Sequence, residues 1–133
     1  MGRRKARELA LQVLYQIEIT GDKPEKALTD VSLRVTLEPE VFEFIDQLVN
    51  GTIRNLEKID LMIQGALENW QLERLAMIDR NILRLALGER MTFGSAIPAK
   101  VTINEAIELA KRYSTEDSGT FVNGVLDRLI EKE

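Results

Sequence analysis

Four cations, Arg3, Arg4, Lys5 and Arg7, stand within five residues near the start of the chain, with no acid among them. Guanidinium groups bind phosphate through paired N–H donors and stack flat on nucleobases. The residues that follow read as a helix, so these cations fall on its first turns. There the unpaired amides and the positive end of the dipole already favour an anion, and each cation costs the helix several tenths of a kcal/mol at low salt. RNA or another polyanion explains such a tip; a solvated basic end is the other reading. A second candidate is Tyr113-Ser114-Thr115-Glu116-Asp117-Ser118-Gly119-Thr120-Phe121, in which two aromatics bracket a hydroxyl-rich junction. Single-stranded RNA is read by aromatic stacking plus hydrogen bonds to base edges, and Asp117 can accept from a base amino group. Taken alone, the same stretch reads as a helix cap with Phe121 in the core. Third are the acids Glu68, Glu73 and Asp79. Paired carboxylates can do acid–base chemistry, but nothing nearby supplies a nucleophile or a glycine-rich phosphate loop. They read as exposed helix-face acids, next as a docking surface for a basic partner, and last as catalysts. Fourth, Gly124 lies inside a helical stretch, where glycine costs about 1 kcal/mol relative to alanine. A close helix or ligand approach would explain it, as would a tolerated defect.

The chain has no Cys and no His. That excludes a disulfide framework, a thiolate nucleophile, a Cys/His zinc site and a Ser-His-Asp triad. No cofactor is expected, a metal site would need oxygen ligands alone, and no enzyme activity is expected. The net charge of −4 hides a segregation: the first seven residues carry +4, which leaves −8 on the rest. One end is a compact cationic patch, and the remainder suits a basic protein partner. No apolar run approaches a membrane span, and Glu8, Gln12, Gln16 and Glu18 interrupt the stretch after the basic residues, unlike a signal peptide. A cytoplasmic protein without a membrane partner is expected.

The elements that must position these groups are helices throughout. Leu9, Ala10, Val13, Leu14 and Ile17 form one stripe of the first helix, and Leu11, Tyr15 and Ile19 a second, so it packs on more than one neighbour. Gly21 ends it. Asp22, as a cap, and Pro24, in the first turn, open a short helix with Ala27, Leu28 and Val31. Glu38-Pro39 opens the next. Ile59, Met62, Ile63, Ala66, Leu67 and Trp70 make the cleanest stripe. The helix carrying Leu75, Ile78, Ile82, Leu85 and Ala86 is apolar over most of its circumference and should be central. Gly94 to Pro98 reads as a loop, and Thr102-Ile103-Asn104-Glu105 as a capping box. The chain caps again near Ser114–Ser118 before a last helix with Val122, Val125, Leu126 and Leu129. The expectation is an all-α single domain of about seven helices, in two sub-bundles of about 1–55 and 56–133 with a seam near Asn55–Glu57, unfolding as one unit because neither half is large enough alone.

These residues resemble the NusB family. The segments 3–15, 79–86, 98–111 and 121–127 carry the resemblance, most specifically Thr102-Ile103-Asn104-Glu105-Ala106-Ile107-Glu108-Leu109-Ala110 followed by Phe121-Val122-Asn123-Gly124-Val125-Leu126-Asp127. The resemblance implies a compact NusB-like helical bundle and a transcription antitermination factor. Such a factor pairs with the ribosomal protein NusE, binds boxA-type single-stranded RNA, notably in rRNA leaders, and helps assemble a termination-resistant RNA polymerase complex. It implies RNA contacts at Arg3, Arg4 and Arg7, with Lys5 in the same tip, and at Tyr113, Asp117, Ser118 and Phe121. It implies NusE contacts at Tyr15, Glu73 and Asp79. The sequence departs from the family pattern at Gly88, where an aromatic is usual, and at Thr120, where a basic residue is common. A protein–protein scaffold with an incidental basic tip is the alternative function, and monomer and homodimer both stay open.

Overall fold

The computed structural model of the chain describes residues 2–130. Seven α-helices follow one another among them: α1 (Arg3–Thr20), α2 (Pro24–Arg34), α3 (Pro39–Arg54), α4 (Leu56–Ala66), α5 (Met77–Phe93), α6 (Ala99–Tyr113) and α7 (Glu116–Leu129). Single 3-10 turns at Leu72–Arg74 and Gly94–Ala96 precede α5 and α6. The all-α architecture is the one the periodicity indicates.

Local chemistry sets most boundaries. Gly21 takes the left-handed conformation at φ 74°, and its amide closes on the Ile17 carbonyl, a conformation that carries no Cβ penalty in glycine. Pro24 and Pro39 sit in the first turns of α2 and α3, where a missing amide costs nothing. Thr115 caps α7 by accepting from the Ser118 amide at 3.0 Å. Two expected caps are different. Lys23, not Asp22, is the N-cap of α2, with no side-chain bond; Asp22 instead accepts from Gln16 at 3.1 Å, and its own amide donates to the Thr20 hydroxyl at 3.0 Å. The capping box at Thr102–Glu105 does not form, because α6 starts a turn earlier behind Pro98. Both of its polar residues are engaged in tertiary contacts.

The central helix is α5, which packs against α1, α3, α4, α6 and α7. Ile82, Leu83 and Leu87 on it are fully buried among Leu9, Ile45, Leu48, Ile59, Ile63 and Leu126. One continuous apolar cluster runs from Ala6 to Ile130. Each fully buried leucine or isoleucine in it contributes about 1.5–3 kcal/mol through its removal from water. The backbone breaks at Asn55 between α3 and α4, but the core continues across it. Close crossing of α3 over α5 explains Gly88: a Cβ there would lie 1.9 Å from Thr52 Oγ1 and 3.0 Å from the Thr52 Cα. Gly51 meets Thr92 Oγ1 in the same way, also at 1.9 Å. The stripe assigned to Ile59–Trp70 is shorter than expected. α4 stops at Ala66, and Trp70 lies beyond it in the connection to α5, 58% exposed.

Candidate nucleic-acid interface

The basic tip divides into two kinds of cation. Arg7 lies in the first turns of α1 and is 5% exposed. Its Nε donates to Glu89 Oε1 at 2.6 Å and its Nη2 to Glu89 Oε2 at 3.3 Å. The Thr102 hydroxyl also donates to Glu89. Arg7, expected by resemblance among the RNA contacts, is turned by helical spacing toward α5, where its charge is paired with Glu89. Arg3 stays at the surface, with its guanidinium 4.8 Å from the Phe44 ring centre. Phe44 in turn stacks on Phe93, with ring centres 5.1 Å apart and planes 13° from parallel. Arg4 is exposed and forms a fork with Glu105, at 3.0 Å from Nε and 2.8 Å from Nη2. Arg4 thereby holds the Glu105 carboxyl below its ordinary range, against a smaller upward push from burial. Lys5 is exposed and 3.4 Å from the buried carboxylate of Glu8.

A cation outside the tip joins this group. Arg112, in the last turn of α6, reaches Glu8 at 2.7 Å and lies 5.6 Å from the Tyr113 ring centre. It brings the exposed cations of α1 to the aromatic junction. By sequence, Lys111 and Arg112 near a helix C-terminus read as partners for the dipole, so only the adjacency of Arg112 to Tyr113 hinted at a further role.

Beyond Arg112 opens a groove of about 580 Å³, lined by Glu8, Leu11, Tyr15, Arg34, Ile78 and Tyr113 among others. Tyr15, 39% exposed, and Tyr113, 38% exposed, share it. Ser118 is buried at the base of the junction. Its hydroxyl lies 2.8 Å from that of Ser114 and donates to Asp79 Oδ2 at 3.1 Å. Ser118 and Asp79, assigned by resemblance to different surfaces, thus meet at the start of α5, and Asp79 Oδ1 is buried without a hydrogen-bond partner. Asp117 is exposed in the first turn of α7. Phe121 lines a separate groove, shared with Trp70.

Glu73 borders a third depression, of about 730 Å³, whose apolar lining includes Leu14, Ile17, Leu61 and Leu72. The floor carries an ion-pair network. Glu18 accepts from Arg80 and from Arg84 Nη1, the latter at 2.6 Å, and Arg84 also forks onto Asp60 at 2.8 and 2.9 Å. Burial pushes the Glu18 carboxyl up, but Arg80 and Arg84 outweigh it and hold it below its ordinary range. Glu73 itself is exposed. No group of His, Cys, Asp or Glu able to hold a metal occurs among the described residues, and no described helix is long and apolar enough to cross a membrane.

The model of the NusB family matches residues 4–131. The chain belongs to the NusB family. It is 46% identical over 133 residues to the transcription antitermination protein NusB of Desulforamulus reducens, covering 100% of this chain and 92% of that protein. It is 46% identical to the NusB of Bdellovibrio bacteriovorus over 127 residues, covering 96% and 93%. Among solved structures it resembles T. maritima NusB, with a TM-score of 0.88 at 42% identity over 97% of this chain and 90% of that one. It also resembles a crystal structure of the antitermination factors NusB and NusE in complex with dsRNA, with a TM-score of 0.87 at 30% identity over 97% of each chain. Gly88, where the resemblance leads one to expect an aromatic, falls at the α3–α5 crossing.

Proposed function

We propose that this NusB-family chain is a non-catalytic cytoplasmic antitermination factor that binds boxA-type RNA together with NusE and helps assemble a termination-resistant RNA polymerase complex. The observation that carries the site is the junction at Arg112. Through it, the exposed cations Arg4, which shares a depression with Arg112, and Lys5, which shares Glu8 with it, adjoin a groove that holds Tyr15 and Tyr113, and Arg3 extends the basic tip over Phe44. The cations take the phosphates, and the Tyr113 ring offers a base-stacking face. Asp117 at the rim accepts from a base, and Ser118 acts from beneath by fixing the start of α7 on Asp79. The buried Arg7 positions the tip through Glu89. NusE, a basic partner, docks on the acidic and apolar side marked by Glu73, with Tyr15 and Asp79 at the border where protein and RNA surfaces meet.

Three or four neutralised phosphates give a slope of log affinity against log salt of about −2 to −3 for a single strand. Titrating labelled boxA RNA across salt, with and without NusE, measures it. Replacing Arg3 and Arg4 by Ala should flatten the slope and leave NusE binding intact. Equal affinity for a scrambled RNA, with and without NusE, would overturn the proposal. An RNA affinity untouched by those replacements would favour a protein scaffold instead.

A further inference from the structure

Phe121, half-buried against the core, lines not the Tyr15–Tyr113 groove but another, of about 280 Å³. Trp70 also lines it, held by its backbone rather than by burial of its ring. Gln64 fixes this connection twice: its amide donates to the Trp70 carbonyl at 2.9 Å, and its oxygen accepts from the Leu72 amide at 2.8 Å. Between the two aromatics the surface of α7 is bare. A Cβ added at Gly124 would meet nothing within 4 Å, so no close approach of the chain to itself requires glycine there. A glycine in a helix interior still costs about 1 kcal/mol relative to alanine. One turn further along α7, Arg128 closes the groove. Its Nη1 donates to the Ala66 carbonyl at 2.8 Å, and its Nη2 lies 3.6 Å from Glu68. Both members of that last pair are largely exposed, so it holds the guanidinium weakly and a phosphate can displace Glu68.

We infer that the groove between Trp70 and Phe121, floored by Gly124 and closed by Arg128, is a second binding surface for single-stranded RNA. The inference rests on the RNA-binding reading above, and its new members are Trp70, Gly124 and Arg128. Two aromatic faces around an open floor are what unstacked bases require, and stacking of this kind tolerates any sequence. Arg128 supplies one phosphate contact. The junction of α6 and α7 connects the groove with the Tyr113 side, so a strand that leaves one surface around the start of α7 reaches the other. Glycine at position 124 then leaves the depth a base needs, which accounts for a residue that the fold itself does not explain.

Trp70 is the only tryptophan, so its emission reports on this groove alone. The experiment adds boxA RNA with its flanking single-stranded nucleotides to the full chain, in the presence of NusE, and follows labelled-RNA anisotropy and tryptophan emission of the chain relative to a Trp70→Leu control. Stacking should quench Trp70. Trp70→Leu and Gly124→Gln should each weaken binding about tenfold without changing the salt slope. Arg128→Gln should make the slope shallower by about 0.7. Glutamine is a better helix former than glycine, and a Cβ at this position meets no protein atom within 4 Å, so Gly124→Gln tests the groove without threatening the fold. RNA that binds with Trp70 emission and both affinities unchanged overturns the inference while sparing the function. So does emission that responds to NusE without RNA, which would make the occupant a protein. Failure of any boxA RNA to bind the unaltered chain with NusE would instead remove the reading on which the inference rests.

Discussion

Arg4 and Arg7 are three residues apart on α1, yet their surroundings give them different work. Arg4 is itself exposed and forks onto the half-buried carboxylate of Glu105, which phosphate can replace, whereas Arg7 and Glu89 are both buried. Removing one member of a buried pair leaves the other charge unsolvated, at a cost of about 3–5 kcal/mol, while replacing both with apolar groups of similar size is far milder. Arg7→Met alone should therefore destabilise the chain by about that amount in urea titrations, and Arg7→Met with Glu89→Leu should recover most of it. Arg4→Ala should leave the urea midpoint nearly unchanged and act on RNA affinity. A stability loss in Arg4→Ala as large as that in Arg7→Met would contradict this division. The four cations were legible in the sequence as a group, but their division was not. It depends on Glu89 and Thr102 arriving from α5 and α6, a placement that no local spacing encodes.

At the scale of elements, helix type and approximate extent follow from apolar periodicity, and the turns at Gly21, Pro24, Pro39 and Thr115 follow from residue chemistry. Capping at Asp22 and Thr102 did not, because tertiary partners compete for the same side chains: Gln16 donates to Asp22, and Thr102 donates to Glu89. Trp70 fitted the α4 stripe by spacing but lies past its end, since Gln64 bonds the following backbone and stops the helix from continuing. Glycines show the same limit. Gly88 and Gly124 both interrupt good helical sequence, and only the packing separates them. Gly88→Ala pushes a methyl into Thr52, backbone included, and overpacking of this kind costs about 1–3 kcal/mol. Gly124→Ala meets nothing and should stabilise by up to about 1 kcal/mol through helix propensity. Thermal unfolding of the two variants should therefore move the melting temperature in opposite directions; equal shifts of the same sign would contradict the crossing geometry.

The whole molecule depends on α5, because α1, α3, α4, α6 and α7 all pack on it. The two sub-bundles that the break at Asn55 suggests are, we propose, one cooperative unit, since α5 carries core residues toward α1 and α3 as well as toward α6 and α7. Circular dichroism and Trp70 emission should then give one coincident urea transition, although Trp70 reports only from the α4–α5 connection; separated transitions would show two units. The same architecture sets a pH dependence. Glu18 on α1 is tied to Arg80 and Arg84 on α5, which keep its carboxyl below the ordinary value of 4.5 in the folded chain. A depressed folded pKa means that the unfolded chain takes up the proton first. The contribution of Glu18 is therefore fully present well above pH 4.5 and falls away as pH drops through the folded value. In acid titrations followed by urea midpoints, the unaltered chain should lose stability through this range faster than Glu18→Gln, which is weaker at neutral pH and has no such proton to take up. Parallel curves for the two proteins below pH 4.5 would place the acid sensitivity elsewhere. Glu105, held down by Arg4 at the other end of α1, is the carboxylate to test next, because there the same titration would also release a cation proposed to take RNA phosphate.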